Sequence, residues 1–330
     1  MKILVTGGAG YIGSHTCEAL IQAGFQVVVL DNLTTGFQNS IPAQAEFVHG
    51  DVRDFSLVSS LLEKHAIESV VHFAAKLIVP ESVEFPLEYY ENNVVGTLQL
   101  LKACQKNKVR HFIFSSTAAV YGNGTGSALK ETDPTLPINP YGTTKLVSEF
   151  QLRDFGHAAQ IAGHDFRSIV LRYFNVAGAA HHGKNGQKSK VATHLIKIAS
   201  LVAAGRRPSM QIFGTDYPTP DGTCIRDYIH IEDLADAHVC ALQALLKSHP
   251  GGTFNCGYGR GFSVKEVLQT LRKTSHQPVI AETGPRRAGD PAILISDSQK
   301  LRTELGWTPL RDNLELICRS AYEWEKGQPS

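Results

Sequence analysis

A chain of 330 residues is long enough to bury a large core and to form two packed domains. Its 42% hydrophobic and 19% charged residues are ordinary for a globular protein, and a formal net charge of +1 offers no field to recruit nucleic acid or an anionic membrane. No apolar run approaches the roughly 18 residues of a membrane span, MKILVTGGAG does not read as a signal peptide, and the six cysteines show no CxxC spacing, so reduced thiols and a cytoplasmic location are expected.

In chain order, KILVT (2–6), QVVVL (26–30), AEFVHG (45–50), SVVHFA (69–74), HFIFSS (111–116) and RSIVLRYF (167–174) are near-continuous, β-branched apolar runs. They predict strands of a parallel sheet buried on both faces. Amphipathic stretches at 11–23, 55–65, about 86–107 and 141–163 predict the helices between them. The expected fold class is therefore α/β, a doubly wound Rossmann-type parallel sheet over residues 1–175. Residues 176–330 are richer in Gly, Pro and Asp, with helical patterns near 192–204, 232–246, 263–274 and 312–324. They predict a smaller second domain over the carboxyl edge of the sheet, with some chain free to return to the first. His181-His182 has no Cys or carboxylate close in sequence, and no metal is expected there.

The first predicted strand runs into GGAGYIG, where Gly7, Gly10 and Gly13 open a helix. Backbone must come close to a pyrophosphate at a helix N-terminus, and glycine permits it. Asp31 closes the second strand, where a carboxylate can accept from an adenosine ribose and repel a 2′-phosphate. With no Lys or Arg between Asp31 and Arg53, NAD is expected over NADP. Asp51 and Val52 after the third strand suit an adenine contact, and Phe73, Ala74 and Ala75 after the fourth suit the cofactor's path.

PYGTTK sets Tyr141 and Lys145 four residues apart behind Asn139-Pro140, an N-cap followed by proline at the first helical position. They share one helix face. An ammonium about 4 Å from a phenol at an effective dielectric of 20 is worth roughly 4 kcal/mol, which would make the phenolate an accessible base. Ser115, Ser116 and Thr117 bring hydroxyls to the sheet's carboxyl edge, where ligands bind in such folds.

GGAGYIG, the Ser/Thr element and YxxxK together resemble the extended short-chain dehydrogenase/reductase family, over essentially the whole chain. HFAA, ESVEFPLEYYENNVVGT, LRYFNVAG, DYPTPDGTCIRDYIHIEDLADAH and PRRAGDPA are similar to motifs of the UDP-sugar 4-epimerases of that family. The resemblance implies interconversion of UDP-galactose and UDP-glucose through a 4-keto sugar on tightly held NAD. It makes Tyr141 the base, with Lys145 and Thr117 beside it. It implies cofactor contacts from Tyr11, Ile12, Asp31, Asn32, Asp51, Val52, Phe73, Ala74, Asn92, Ser115 and Tyr173, and a role for Lys145 on the nicotinamide ribose. On the substrate side it points to Arg226 and Arg287 for the diphosphate and Asp290 for a ribose. Asn175 matches a diphosphate or sugar contact, and Gln211 and Phe213 a uracil-side strand. His194 and Leu195 fall at a further contact, where some members carry Asn in place of the histidine. A second departure is Lys76-Leu77, where the lysine stands one place early. Leu294 falls where members differ in sugar range. A homodimer is implied by analogy, through NNVVGTLQLLKACQ and KLVSEFQLRDF, although burial within one subunit accounts for their apolar positions equally well. A 4-epimerase of another UDP-sugar, and more remotely a non-catalytic NAD-binding regulator, remain open.

Overall fold

The computed structural model describes residues 1–124, 126–188, 193–287 and 290–328. The β-branched runs of the first half form β1 (Lys2–Thr6), β2 (Gln26–Asp31), β3 (Glu46–His49), β4 (Ser69–His72), β5 (His111–Thr117) and β6 (Arg167–Tyr173). Between them run α1 (Tyr11–Gln22), α2 (Phe55–Lys64), α3 (Val79–Glu84), α4 (Pro86–Tyr89), α5 (Gly96–Lys106) and α6 (Pro140–Ile161). The pattern expected as one helix over 86–107 is in fact α4 and α5 joined by a π-helical stretch, Tyr90–Val95. Such a wide turn is invisible to a 3.6-residue period.

The second half holds more strand than its composition suggested: β7 (Asn175–Ala177), β8 (Met210–Phe213), β9 (Ile225–His230), β10 (Gly252–Cys256), β11 (Gly261–Ser263), β12 (Ala281–Gly284) and β13 (Ile293–Leu294). Most are too short to show a period of two. Its helices are α7 (Leu195–Ala203), α8 (Ile231–Leu246), α9 (Val264–Ser275), α10 (Gln299–Leu305) and α11 (Leu314–Lys326). Ala192, where the first of them was expected to begin, lies outside the described residues.

The large sheet has seven strands in the order β10-β6-β5-β4-β1-β2-β3, all parallel. The order reverses between β1 and β4, which opens a crevice at their carboxyl ends. Alternation along each strand explains burial on both faces. Ile3 and Val5 pack with Ile169 and Leu171 beneath α1 and α8, while Leu4, Val28 and Phe112 pack beneath α2, α5 and α6. β10 is supplied by the second half and lies along β6. The remaining strands form a sheet of β11, β9 and β13, with β7 also on β9, and the pair β8 and β12. Asp227 on β9 is fully buried and accepts from the N–H groups of Tyr258, Gly259 and Ser296 and from the Ser296 hydroxyl. Among the described residues no helix is long and apolar enough to cross a membrane.

Candidate active site

The β1–α1 turn has no room for side chains. A Cβ on Gly7, whose φ is +75°, would stand 2.6 Å from the Ala74 nitrogen, and one on Gly13 would stand 2.2 Å from the Gly7 carbonyl oxygen. Gly10 caps α1 without a side-chain hydrogen bond, and the first turn carries no acidic residue. The N–H groups of that turn are thus uncapped and unopposed, a donor set that fits a pyrophosphate. Asp31, also buried, accepts from Ala9 N at 3.0 Å and Leu33 N at 2.8 Å. Each of its oxygens keeps lone-pair capacity for a ribose hydroxyl. The residues present therefore fit a dinucleotide, and a carboxylate at that point disfavours a 2′-phosphate.

Around this turn the expected contacts divide. The Asp51 carboxylate accepts from Arg53 N, Nε and Nη2 and from Asn32 Nδ2, all at 2.9–3.0 Å. The Arg53 guanidinium holds it down to about 2. In the protein alone Asp51 is thus engaged by Asn32 and Arg53. Arg53, in turn, is engaged by Asp51 and Glu91, and its charge is not free for a phosphate. The Tyr11 hydroxyl donates inward to the Gly178 carbonyl at 2.6 Å, leaving its backbone N–H at the helix start for a ligand. Ile12 follows in the same turn, and Val52 is buried. Phe73 stacks on His238 at 4.8 Å, and both Phe73 N and Ala74 N donate to the Thr6 carbonyl; Ala75 follows them past the end of β4. Asn92 donates to Asn93, and Ser115 to the Tyr173 hydroxyl at 3.0 Å. Lys76 is turned away to Glu88 and Glu81, and Leu77 is exposed.

Asn139 caps α6 as its sequence signal implied, accepting from Gly142 N at 2.8 Å. Tyr141 and Lys145 are both buried. Burial pushes the Tyr141 phenol up to about 12, opposed by the adjoining Thr117 hydroxyl, which favours the phenolate. Burial pulls Lys145 down to about 7, opposed by Glu149. Removal from water disfavours both charged forms in the protein alone, where no oxidised nicotinamide adds its positive charge to that of Lys145. The Lys145 ammonium lies 4.5 Å from the Phe114 ring centroid.

A polar chain missed by the sequence reading holds this helix. Thr6 donates to His72, which donates to Thr97, which donates to the Asn93 carbonyl. Asn93 brackets the backbone of Lys76 and donates to Thr144, whose hydroxyl bonds the Tyr141 carbonyl. Ser116 and Arg172 both donate to Glu149. The signal for Glu149 was present as a third residue at four-residue spacing after Tyr141 and Lys145.

On the other side, Arg226 is buried on β9, donates to the Ile225 carbonyl and lies 3.9 Å from Asp290. Arg287 stacks on the Phe213 ring at 3.8 Å. Burial pushes the nearby Cys224 thiol up, and the charges of Arg226, Asp290 and Arg287 also act on it. Asn175 pairs with Tyr228 beside Arg226's strand, and Gln211 and Phe213 sit on β8 against β12. His194 caps α7 with no capping bond, Leu195 begins the helix, and Gln187 Nε2 donates to His194 Nδ1 at 2.7 Å. That bond puts the neutral ring's proton on Nε2, and burial pulls the imidazole's pKa down. Leu294 packs with Ala118 and Leu146, the chain neighbours of Thr117 and Lys145. Among the described residues no group of three or more His, Cys, Asp or Glu could hold a metal ion.

Residues 3–257 match the NAD dependent epimerase/dehydratase family. A UDP-glucose 4-epimerase of Azospirillum brasilense is 50% identical over 99% of this chain and 92% of its own. The structure of UDP-glucose 4-epimerase from Brucella ovis in complex with NAD is 42% identical, with a TM-score of 0.94 over 98% of each chain. The UDP-Glc/GlcNAc 4-epimerase of Campylobacter jejuni is 48% identical, with a TM-score of 0.85 over 98% of this chain and 99% of that one.

The glycine crossing sets a test. Gly13→Ala forces a methyl against the Gly7 carbonyl and is expected to weaken dinucleotide binding about tenfold or more, a change of ~1.4 kcal/mol, whereas Gly156→Ala, whose Cβ meets only Phe166 at 3.9 Å, leaves it unchanged. Nucleotide released on denaturation and a binding titration measure both; equal retention in the two variants would remove the crossing from cofactor binding.

Proposed function

The chain belongs to the NAD dependent epimerase/dehydratase family, and from that premise we propose that it inverts C4 of a UDP-hexose, interconverting UDP-galactose and UDP-glucose. The observation that carries this reading is the buried Tyr141, with Thr117 against its phenol and Lys145 one turn away, beside a glycine turn fit for NAD. NAD, when bound, supplies the acceptor that takes the C4 hydride and returns it. Tyr141 removes the proton of the 4-hydroxyl and gives it back to the 4-keto oxygen. Thr117 shares that hydrogen bond. A protonated Lys145 favours the phenolate, so the two groups act as a coupled pair whose charge states depend on one another. Arg226 and Arg287 grip the diphosphate while the sugar turns to present its other face. Asp290 and Asn175 border that grip, and Gln211 and Phe213 offer the uracil side.

The same reading includes a homodimer. Val95 at the end of the π stretch, Leu98 on α5 and Phe150 on α6 expose 39–42% of their surface. A second copy of the chain would cover them. All six cysteines are free, which supports a cytoplasmic setting.

Tyr141→Phe is expected to reduce turnover at least about a hundredfold, the cost of losing a general acid–base, while UDP binding stays near that of the wild type. NMR of UDP-galactose conversion without added NAD, with UDP binding by calorimetry, measures both; turnover near wild type would take Tyr141 out of the mechanism. UDP-xylose and UDP-glucuronate in the same assay separate the sister epimerases.

A wider sugar range rests on Leu294, which is smaller than a tyrosine and packs against the residues flanking Thr117 and Lys145. We expect weaker, measurable turnover of UDP-N-acetylglucosamine. Leu294→Tyr should lower that activity more than UDP-glucose turnover, because overpacking penalises the bulkier substrate. An unchanged ratio of the two kcat/KM values would remove Leu294 as a wall of the pocket.

A further inference from the structure

Tyr141, Lys145 and Glu149 stand at i, i+4 and i+8 on one face of α6. Glu149 is buried. Its Oε1 accepts from the Ser116 hydroxyl at 2.5 Å and from Arg172 Nε at 3.0 Å, and its Oε2 accepts from Arg172 Nη2 at 2.6 Å. Arg172 Nη1 also donates to the Tyr121 hydroxyl at 2.9 Å, and Tyr121 donates to Asn255 on β10 at 2.7 Å. A buried ion pair pays heavily in desolvation, and an apolar pair of similar volume would pack as well. Two things an apolar pair would not supply are a negative charge one turn from Lys145 and an acceptor for Ser116. Ser116 precedes Thr117 on β5, so its bond to α6 fixes the strand that carries Thr117 against the helix that carries Tyr141.

We propose that Glu149, oriented by Arg172, is a positioning residue of the epimerase site: its carboxylate holds the Lys145 ammonium charged and, through Ser116, sets Thr117 against Tyr141. This rests on the epimerase reading above. The groups that face the pair from neighbouring elements do not duplicate it. His72 on β4 is kept neutral by burial and by Lys145, down to about 3. The Tyr89 phenol on α4 is raised by burial first and then by Glu81, and the Tyr173 phenol on β6 by burial first and then by Tyr141. Thr117 on β5 and the Phe114 ring carry no charge, and Arg172 directs its donors at Glu149 and Tyr121. Among the described groups acting on Lys145, the anion is Glu149.

The sign follows. Burial lowers Lys145 and Glu149 raises it, so neutralising Glu149 lets Lys145 lose its proton at lower pH as pH rises. Removing a nearby negative charge also eases ionisation of the phenol. Both limbs of the pH–rate profile therefore move toward acid. The experiment is the pH dependence of kcat for UDP-galactose in wild type, Glu149→Gln, Ser116→Ala and the double variant Glu149→Gln/Arg172→Met, which leaves no unpaired buried guanidinium. Glu149→Gln is expected to lower kcat and displace the profile toward acid by about one pH unit, the size a close charge commonly confers. Ser116→Ala should lower kcat with the profile in place. The double variant should shift in the same direction as Glu149→Gln, and it decides the question if the single variant does not fold. An undisplaced profile, or an equal displacement in Ser116→Ala, overturns the proposal. Absence of epimerisation in the wild type would instead overturn the reading on which it rests.

Discussion

The large sheet and the smaller one meet on one carboxylate. Asp227 is fully buried, and three backbone N–H groups and one hydroxyl donate to it. Those partners lie just after β10, which belongs to the large parallel sheet, and just after β13, which belongs to the smaller one. Asp227 itself follows Arg226 on β9. A buried acceptor left without donors, or buried donors left without an acceptor, costs about 1–3 kcal/mol each, so the four bonds must form together or not at all. The position of Arg226 relative to the sheet edge is thereby fixed by hydrogen bonding rather than by loop packing.

The same logic runs beneath α6. His72, Thr97, Asn93 and Thr144 pass hydrogen bonds from β1 to the first turn of α6, each hydroxyl or amide both donating and accepting. Buried polar networks are favourable when every member is satisfied. Here that condition fixes the height of the Tyr141 backbone over the sheet. Desolvation then acts on the side chains, raising the phenol and lowering the ammonium. The site stores its proton on a pair that is poorly ionised without neighbours, so charges brought close to it have large effects.

What could be read in the sequence was what demands a particular residue type. Gly7 and Gly13 were legible because close backbone approach excludes a Cβ. Asn139-Pro140 and the Tyr141–Lys145 spacing were legible because capping and helical periodicity are local. The six strands of the first half were legible because burial on both faces demands continuous apolar runs. The illegible parts depend on distance in sequence. Arg172 meets Glu149 from 23 residues away, and Asn255 meets Tyr121 from 134 residues away. Nothing in the spacing of Asp51 revealed that Arg53 folds back onto it. Apart from β8, implied by the resemblance at Gln211 and Phe213, the strands from β7 to β13 were lost among glycine and proline because two to six residues carry almost no periodicity. The burial of Tyr141 and Lys145 was illegible because burial is not written in any motif.

The edge strand β10 has a bearing on how the chain is made. The large sheet is incomplete until residues 252–256 emerge, and until then β6 presents an unpaired parallel edge. Synthesis at about 5–20 residues per second leaves that edge open for several seconds after β6 is complete. Parallel pairing across so long a loop is slow, and an open apolar edge is a template for association with other chains. A nascent chain of this topology gains its final sheet only when most of its second half has been delivered, so it calls for protection of β6 during elongation, and a fragment cut near residue 175 would carry the exposed edge permanently.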